Sequence, residues 1–213
     1  MYADDITLMS AAEDPDTLQV KMNSDLDTIK TWLKVNKLTL NVKKKPKFMF
    51  IGSRPKVDLF SNNFAVKVDN ISIERVTVYK SLGVSVDEDL TWKAYVEEIS
   101  KKISAGLSVL KIETREIMYK ALFLPYFDYS SCVWGHIGIR LTEKLRQLQN
   151  RATRIVTLSS YETRCKDLLG DLGSEVPEDR RMRKLAILIY KITHDISPPC
   201  LRNIFQNVSD VHS

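Results

Sequence analysis

The spacing of apolar residues changes near residue 90, and this change restricts the fold of the 213-residue chain more than any other feature. Before it, one long helical stripe is followed by short runs of β-branched residues. After it, apolar residues recur at helical spacing almost to the C-terminus. We therefore predict an α+β chain in which residues 1–90 combine short antiparallel strands with a helix, and residues 91–213 are helical.

The N-terminal part contains a helix start and several strand-like runs. Asp14 suits the N-cap, and Pro15 suits the first helical position. The apolar stripe that follows is formed by Leu18, Met22, Leu26, Ile29 and Leu33. The strand-like runs are residues 6–9, 47–51, 65–68, 71–73 and 76–86. Those from residue 65 onwards predict a small antiparallel set, with a turn at Asp69-Asn70.

Four helices are predicted after residue 90. The first places Val96, Ile99, Ile103, Leu107 and Leu110 on one face. The second covers roughly residues 114–124 and ends before Pro125, because proline disfavours a helical conformation in the residue before it. The third turns Leu141, Leu145, Leu148, Ala152 and Ile155 inward. The fourth, residues 177–194, turns Met182, Leu185, Ile189 and Ile192 inward.

Composition narrows the class of function. The three cysteines lack a CxxC pair and the three histidines are scattered, which favours reduced thiols and argues against a zinc set. No apolar run approaches the roughly 18 residues that span a bilayer, and the N-terminus lacks the pattern of a secretory signal. We expect a nuclear or cytoplasmic protein without a membrane partner.

The net charge of +5 is unevenly distributed. Residues 1–36 carry three basic and seven acidic side chains, a net −4, whereas residues 37–60 carry seven and one, a net +6. Residues 91–194 carry eighteen and twelve, again a net +6. An acidic start followed by basic blocks suits a protein that holds cations at one place and a polyanion elsewhere. Ordinary solvated faces are the alternative.

The acidic start contains two adjacent carboxylates, Asp4 and Asp5. Neighbouring carboxylates repel each other unless a cation neutralises them, and hard oxygen ligands suit magnesium or manganese. Taken alone, such a pair is more commonly a plain turn or surface feature. The motifs that follow it along the chain favour the metal site.

These motifs form an ordered series. They are Tyr2-Ala3-Asp4-Asp5, residues 32–41, Lys43-Lys44-Lys45, residues 48–52, residues 79–84 with Asp87, Leu90 and Trp92, residues 124–129, Val133-Trp134-Gly135, and residues 148–155. The series resembles the reverse transcriptases of non-LTR (LINE-type, jockey-like) retrotransposons, from the polymerase palm to the end of the thumb. Any one motif could be chance, and their order makes the resemblance specific.

The resemblance implies an RNA-directed DNA polymerase that adds nucleotides from dNTPs to a DNA primer on an RNA template. Asp4 matches the metal-binding aspartate of the palm and Asp5 its neighbour, with Mg²⁺ or Mn²⁺ as the cofactor. Tyr2 would lie by the incoming nucleotide or the primer end. Residues 1–90 then correspond to the C-terminal part of the palm, and residues 91–213 to the thumb and a C-terminal extension.

Two further palm features are implied in the same way. Leu40-Asn41 with Lys43, Lys44 and Lys45 matches the next palm motif, where a lysine such as Lys44 could neutralise or protonate the departing pyrophosphate. Lys43 and Lys45 would contact the nucleic acid. A solvated basic turn is the alternative. Leu82-Gly83 matches the primer-grip turn, in which glycine lets the backbone approach the primer. A plain hairpin glycine is the alternative.

In the helical part, the resemblance implies a thumb that clamps the RNA–DNA hybrid. Lys144, Gln147, Arg151 and Arg154 recur at spacings of three, four and three. This stripe lies apart from the apolar face and suits phosphates, with solubility as the alternative. The aromatic residues Tyr126, Phe127, Tyr129 and Trp134 are interpreted as core rather than as a base-stacking platform, since no basic residue interleaves with them.

The sequence also departs from the family pattern. The family's first catalytic aspartate and its fingers would precede Met1, so Asp4 and Asp5 would form half of a two-metal site with weak metal affinity. Lys45-Pro46 stands where the family has Lys-Thr, and Tyr95 where it has histidine. Two alternatives to a polymerase fragment stay open: a non-catalytic basic helical module that binds nucleic acid, and a remnant without function.

The chain alone should show no primer extension, because two-metal catalysis needs carboxylates from both strands of the palm hairpin. The measurement is extension of a DNA primer on an RNA template with dNTPs and Mg²⁺, beside an active reverse transcriptase on the same template. Mg²⁺-dependent extension that is abolished by Asp4→Ala would contradict this expectation.

Overall fold

A computed structural model describes residues 6–38, 46–61, 64–68, 71–108 and 114–202. The chain divides into two compact units, residues 1–91 and residues 92–213, called here the N-terminal unit and the C-terminal unit. The first combines helices with short strands and the second is helical in its described part, so the predicted α+β class is confirmed. Within the described ranges, none of the helices combines the length and the apolar composition that crossing a bilayer requires.

Helix α1, Pro15–Val35, is the longest element of the N-terminal unit. Its cap forms as predicted: an oxygen of Asp14 accepts a 2.8 Å hydrogen bond from the backbone N–H of Thr17. That bond lowers the pKa of the Asp14 carboxyl. The predicted apolar stripe is buried or half-buried at every position, Leu18, Met22, Leu26, Ile29 and Leu33. The strand predicted for residues 6–9 is absent, and this segment has neither helix nor strand.

The strands of the N-terminal unit form three separate two-stranded sheets among the described residues. They are β1 (Lys47–Phe48), β2 (Lys67–Val68), β3 (Ile71–Ser72), β4 (Glu74–Arg75), β5 (Val78–Ser81) and β6 (Val84–Asp87). The pair β2–β3 is antiparallel, as predicted. β5 and β6 are also antiparallel, but they form a separate hairpin within the single run predicted at residues 76–86. β1 pairs with β4 in parallel, which was not predicted. Parallel strands need a long crossover, and here it includes helix α2, Arg54–Ser61, which apolar periodicity did not indicate.

An aromatic cluster packs beside these strands. The ring of Phe50 lies 5.6 Å from that of Phe48 and 4.8 Å from that of Phe64. Leu18 of α1 and Val57 of α2 are buried in the same cluster. Helix α1 and the crossover therefore share one core with the strand-like run predicted at residues 47–51.

In its described part, the C-terminal unit consists of helices around a buried aromatic core. They are α3 (Lys93–Ser108), α4 (Arg115–Met118), a π-helical segment (Tyr119–Phe123), α5 (Leu124–Asp128), α6 (Ser131–Trp134), α7 (Ile139–Thr157), α8 (Cys165–Asp171), α9 (Pro177–Thr193) and α10 (Pro199–Arg202). The four inward residues predicted for α3 that lie in the described part, Val96, Ile99, Ile103 and Leu107, are all buried. Leu110 lies outside the described residues.

The helix predicted to end before Pro125 continues through it. Proline has no N–H to donate, so it normally ends a helix. Here the π-helical segment Tyr119–Phe123, whose hydrogen bonds span five residues, comes first. Pro125 then occupies one of the first two positions of α5, where no intrahelical donor is needed. The change of helix type therefore allows the chain to stay helical through the proline.

Helix α9 turns a different face inward than predicted. Of the four residues predicted to face the core, Ile192 is buried, Leu185 is half-buried, and Met182 (65% exposed) and Ile189 are exposed. Arg180 and Arg181 are buried instead. Arg180 is ion-paired with Asp128, and Arg181 lies over the ring of Trp134. Because both partners are distant in the sequence, apolar periodicity could not show that the arginines are buried.

The predicted aromatic core is confirmed for two residues of four. Phe127 and Trp134 are fully buried, whereas Tyr126 is half-buried and Tyr129 is exposed. Tyr95 is also buried, and its ring lies 5.4 Å from that of Trp134. Burial raises the pKa of Tyr95 to about 12. Basic side chains do approach this cluster: Lys102 lies over Tyr126 and Arg181 over Trp134.

Helix α3 and the π-helical segment approach each other closely at Gly106. A Cβ atom added there would lie 2.6 Å from a ring carbon of Phe123, whose side chain is buried. A buried ring cannot move aside cheaply, because the interior is close-packed. Glycine at position 106 is therefore what allows these two elements to pack.

Gly106→Ala should lower the free energy of unfolding. Overpacking typically costs about 1–3 kcal/mol, which outweighs the gain of up to about 1 kcal/mol from replacing a helical glycine by alanine. Gly170→Ala in α8 is the matched control, since nothing lies within 4 Å of the added Cβ. Urea denaturation of both variants is the measurement. A Gly106→Ala variant as stable as Gly170→Ala would contradict the packing argument.

Candidate nucleic-acid interface

The predicted catalytic residues Asp4, Asp5 and Lys44 lie outside the described residues, together with three predicted substrate-binding residues beside them. The latter are Tyr2, Lys43 and Lys45. Among the residues that the structure does describe, no group of three or more His, Cys, Asp or Glu side chains could hold a metal ion. The magnesium site therefore stays a prediction from the sequence.

The described segment that follows the carboxylate motif contacts helix α1. The backbone carbonyl of Ala11 accepts a 3.4 Å hydrogen bond from the Lys21 ammonium. One step earlier in the chain, the Ser10 hydroxyl donates a 2.8 Å hydrogen bond to the carboxylate of Asp25. Ser10 and Ala11 are thus fixed beside the first half of α1.

The hairpin β5–β6 carries the predicted primer-grip residues at its tip. Four residue pairs form the ladder, from Val78 opposite Asp87 to Ser81 opposite Val84. Leu82 and Gly83 form the two-residue turn, with φ of 46° and 85°. Positive φ at both positions is the geometry of a type I′ turn. The conformation explains glycine at position 83, while the exposed Leu82 (72%) is an unusual residue for a left-handed position.

Helix α7 presents the predicted basic stripe to solvent. Lys144, Gln147 and Arg151 are exposed, and Arg154 is half-exposed. Arg140, which the sequence pattern did not single out, is exposed four residues before Lys144 and extends the stripe by one turn. From Arg140 to Arg154 the stripe is about 21 Å long, at about 1.5 Å per residue. Four cationic side chains therefore follow one side of one helix.

The opposite face of α7 is fixed in the core. The buried residues are Leu145, Gln149, Ala152, Thr153 and Val156. This face is rotated from the predicted one, because Gln149 and Thr153 take core positions while Leu141, Leu148 and Ile155 are half-buried. The side-chain amide of Gln149 donates a 3.0 Å hydrogen bond to the backbone carbonyl of Glu175, just before α9. The stripe is thus held on a rigid support.

The charge of α7 is strongly positive and little neutralised. The helix contains Arg140, Lys144, Arg146, Arg151 and Arg154 against one acidic residue, Glu143, so five minus one gives a net +4. Glu143 is already ion-paired with Arg146 and accepts a 3.2 Å hydrogen bond from Gln147. Arg140, Lys144 and Arg151 have no acidic partner in the described part of the chain. Their charges are therefore available to an anion.

Arg154 differs from the other cations because an aromatic ring covers it. Its guanidinium carbon lies 5.0 Å from the ring centroid of Tyr161, which follows α7 in the chain. This is a cation–π arrangement. Tyr161 was not predicted as a site residue, and only its position shortly after a basic helix could have drawn attention to it.

Comparison with known proteins points to one class, the RNA-directed DNA polymerases of transposons. The relative named "Probable RNA-directed DNA polymerase from transposon BS", from Drosophila melanogaster, is 22% identical over 194 residues, which cover 85% of this chain. "Probable RNA-directed DNA polymerase from transposon X-element", from the same organism, is 23% identical over 117 residues, which cover 50% of this chain. The similarity supports a distant relationship to reverse transcriptases.

The chain corresponds to a small part of each relative. The matched residues make up 21% of the length of the first and 13% of the second. No protein-family model matches the sequence, and no solved structure matches it. The relationship is therefore supported at the level of the general class.

Gly83→Ala should open the hairpin, because an L-residue in the left-handed region costs about 1–2 kcal/mol. Leu82→Asn should tighten it, since asparagine accepts that region more readily. The measurement is hydrogen exchange of the amide N–H groups of β5 and β6. Faster exchange in Gly83→Ala and slower exchange in Leu82→Asn are expected, and unchanged exchange in both variants would contradict the type I′ geometry.

Proposed function

We propose that the chain is part of a mobile-element reverse transcriptase and that its C-terminal unit holds an RNA–DNA hybrid through the phosphate backbone. The α7 stripe carries this proposal: four cations on one side of a rigid helix, with the neighbouring carboxylate already paired. The similarity to transposon polymerases supports the class of partner. The contacts would be made to phosphates, so binding would depend on salt and little on sequence.

The size of the stripe suits a duplex. At the spacing of B-form DNA, about 3.4 Å per step, its length of about 21 Å spans about six base-pair steps. Side chains at every third or fourth residue reach the same side of the helix, so successive phosphates of one strand can be met in turn. Arg140, Lys144 and Arg151 supply unpaired charge, and Gln147 can add a neutral donor.

Nucleotidyl transfer belongs to the same proposal for the intact protein. Asp4 and Asp5 are the residues that would hold Mg²⁺ or Mn²⁺, an ion that activates an attacking hydroxyl and neutralises phosphate charge when bound. Lys44 would protonate the departing pyrophosphate, and Tyr2 with the Leu82-Gly83 turn would position nucleotide and primer.

A non-catalytic nucleic-acid-binding module is the second candidate. The α7 stripe favours it equally, because the stripe belongs to the C-terminal unit and none of its residues comes from the carboxylate motif. The two candidates differ in selectivity. A reverse-transcriptase fragment should prefer an RNA–DNA hybrid to a DNA duplex of the same sequence, whereas a general module should bind both alike.

Lys144→Gln/Arg151→Gln should weaken binding to an RNA–DNA hybrid and lower the slope of log affinity against log salt by about two. Each substitution removes one exposed charge from the stripe. The measurement is fluorescence anisotropy of a labelled hybrid over a salt series.

The control is Arg183→Gln/Lys191→Gln, which removes the same two kinds of charge from the exposed surface of α9, where Arg183 is ion-paired with Glu175 at 3.3 Å. It should leave the salt slope nearly unchanged. Equal weakening in the two double variants would show that binding depends only on net charge and not on the α7 stripe. Absence of binding by the unchanged chain at low salt would favour a remnant without function.

A further inference from the structure

Tyr161 is the most exposed aromatic side chain of the C-terminal unit's described part. It is 87% exposed, so it contributes almost nothing to the core. An aromatic ring normally gains free energy by being buried. The ring of Tyr161 is therefore accessible to a ligand, and the residues around it indicate the kind of ligand.

The end of α7 places Tyr161 beside the basic stripe. Leu158 closes the helix in the left-handed conformation, with φ of 56°, and its backbone N–H bonds to the carbonyl of Arg154. The N–H of Ser159 bonds to the same carbonyl at 3.3 Å. The chain turns back at this point, and the ring of Tyr161 comes to lie against the guanidinium of Arg154. Tyr161 therefore stands at the C-terminal end of the stripe.

The pair presents a flat aromatic surface next to cations. Arg154 occupies one side of the Tyr161 ring at 5.0 Å, and the rest of the side chain faces solvent. Aromatic rings beside a positively charged track are how proteins hold unpaired nucleotides, because every base has a face that can stack. Bases inside a duplex are already stacked and offer no such face to a side chain.

We propose that Tyr161, backed by Arg154, stacks on an unpaired base at the point where a duplex on the α7 stripe passes into a single strand. This inference rests on the proposed function, since the stripe must first hold the duplex. The ligand is a duplex with a single-stranded extension, and the Tyr161–Arg154 pair at the C-terminal end of α7 sets where the duplex ends. Tyr161 acts as a binding residue and has no part in the chemistry.

The test uses the full chain and two labelled probes. One is a blunt-ended RNA–DNA hybrid, and the other is the same hybrid with an unpaired extension of about six nucleotides, placed at either end in separate probes. The extended hybrid should bind about fivefold more tightly or better, as expected for one stacked base. A fluorescent purine analogue in the extension should be quenched on binding.

Three variants separate the contributions. Tyr161→Ser should abolish the preference for the extended probe and the quenching, while leaving affinity for the blunt hybrid nearly unchanged. Tyr161→Phe should keep both, because it retains the ring. Tyr190→Ser removes another exposed tyrosine, stacked on His194 in α9 (ring centroids 3.9 Å apart), and should change neither.

The outcomes distinguish this inference from the proposed function. Equal binding of both probes by the unchanged chain, or a Tyr161→Ser variant that keeps the preference, would overturn the inference and leave the duplex-binding proposal standing. Absence of binding to either probe would overturn both. Circular dichroism should show that Tyr161→Ser folds normally, as expected for so exposed a side chain.

Discussion

The C-terminal unit depends on one charged contact between α5 and α9. The carboxylate of Asp128 is ion-paired with the buried guanidinium of Arg180 and lies 3.2 Å from the ammonium of Lys184. A buried guanidinium without a partner would be very costly, so α9 must turn its arginine face towards α5. As a consequence, Met182 and Ile189 on the opposite face of α9 are exposed. The bond from Gln149 to the segment before α9 then ties α7 to the same framework.

The sequence predicted correctly those elements that are determined by residues close together in the chain. The cap at Asp14, the stripe of α1 and the core face of α3 all depend on residues within a few turns of one another, and the structure confirms them. The parallel pairing of β1 with β4, the burial of Arg180 and the π-helical segment depend on partners far along the chain. Apolar periodicity carries no information about such partners. The parallel pairing and the π-helical segment were therefore missed, and the inward face predicted for α9 was wrong.

Part of the candidate site could likewise be predicted from the sequence, and part could not. The α7 stripe could be predicted because charged residues at helical spacing must share a face once the helix forms. The Tyr161–Arg154 pair could not, since it depends on how the chain turns after Leu158. The metal-binding roles of Asp4 and Asp5 come from the resemblance and stay predictions.

The small sheets of the N-terminal unit depend on the helices for their stability. Each described strand pairs with one other strand, and a two-stranded sheet is at best marginally stable by itself in water. Phe48 of β1 packs against the cluster that contains Leu18 of α1 and Val57 of α2. The sheet β1–β4 and these two helices should therefore unfold together, as one cooperative unit.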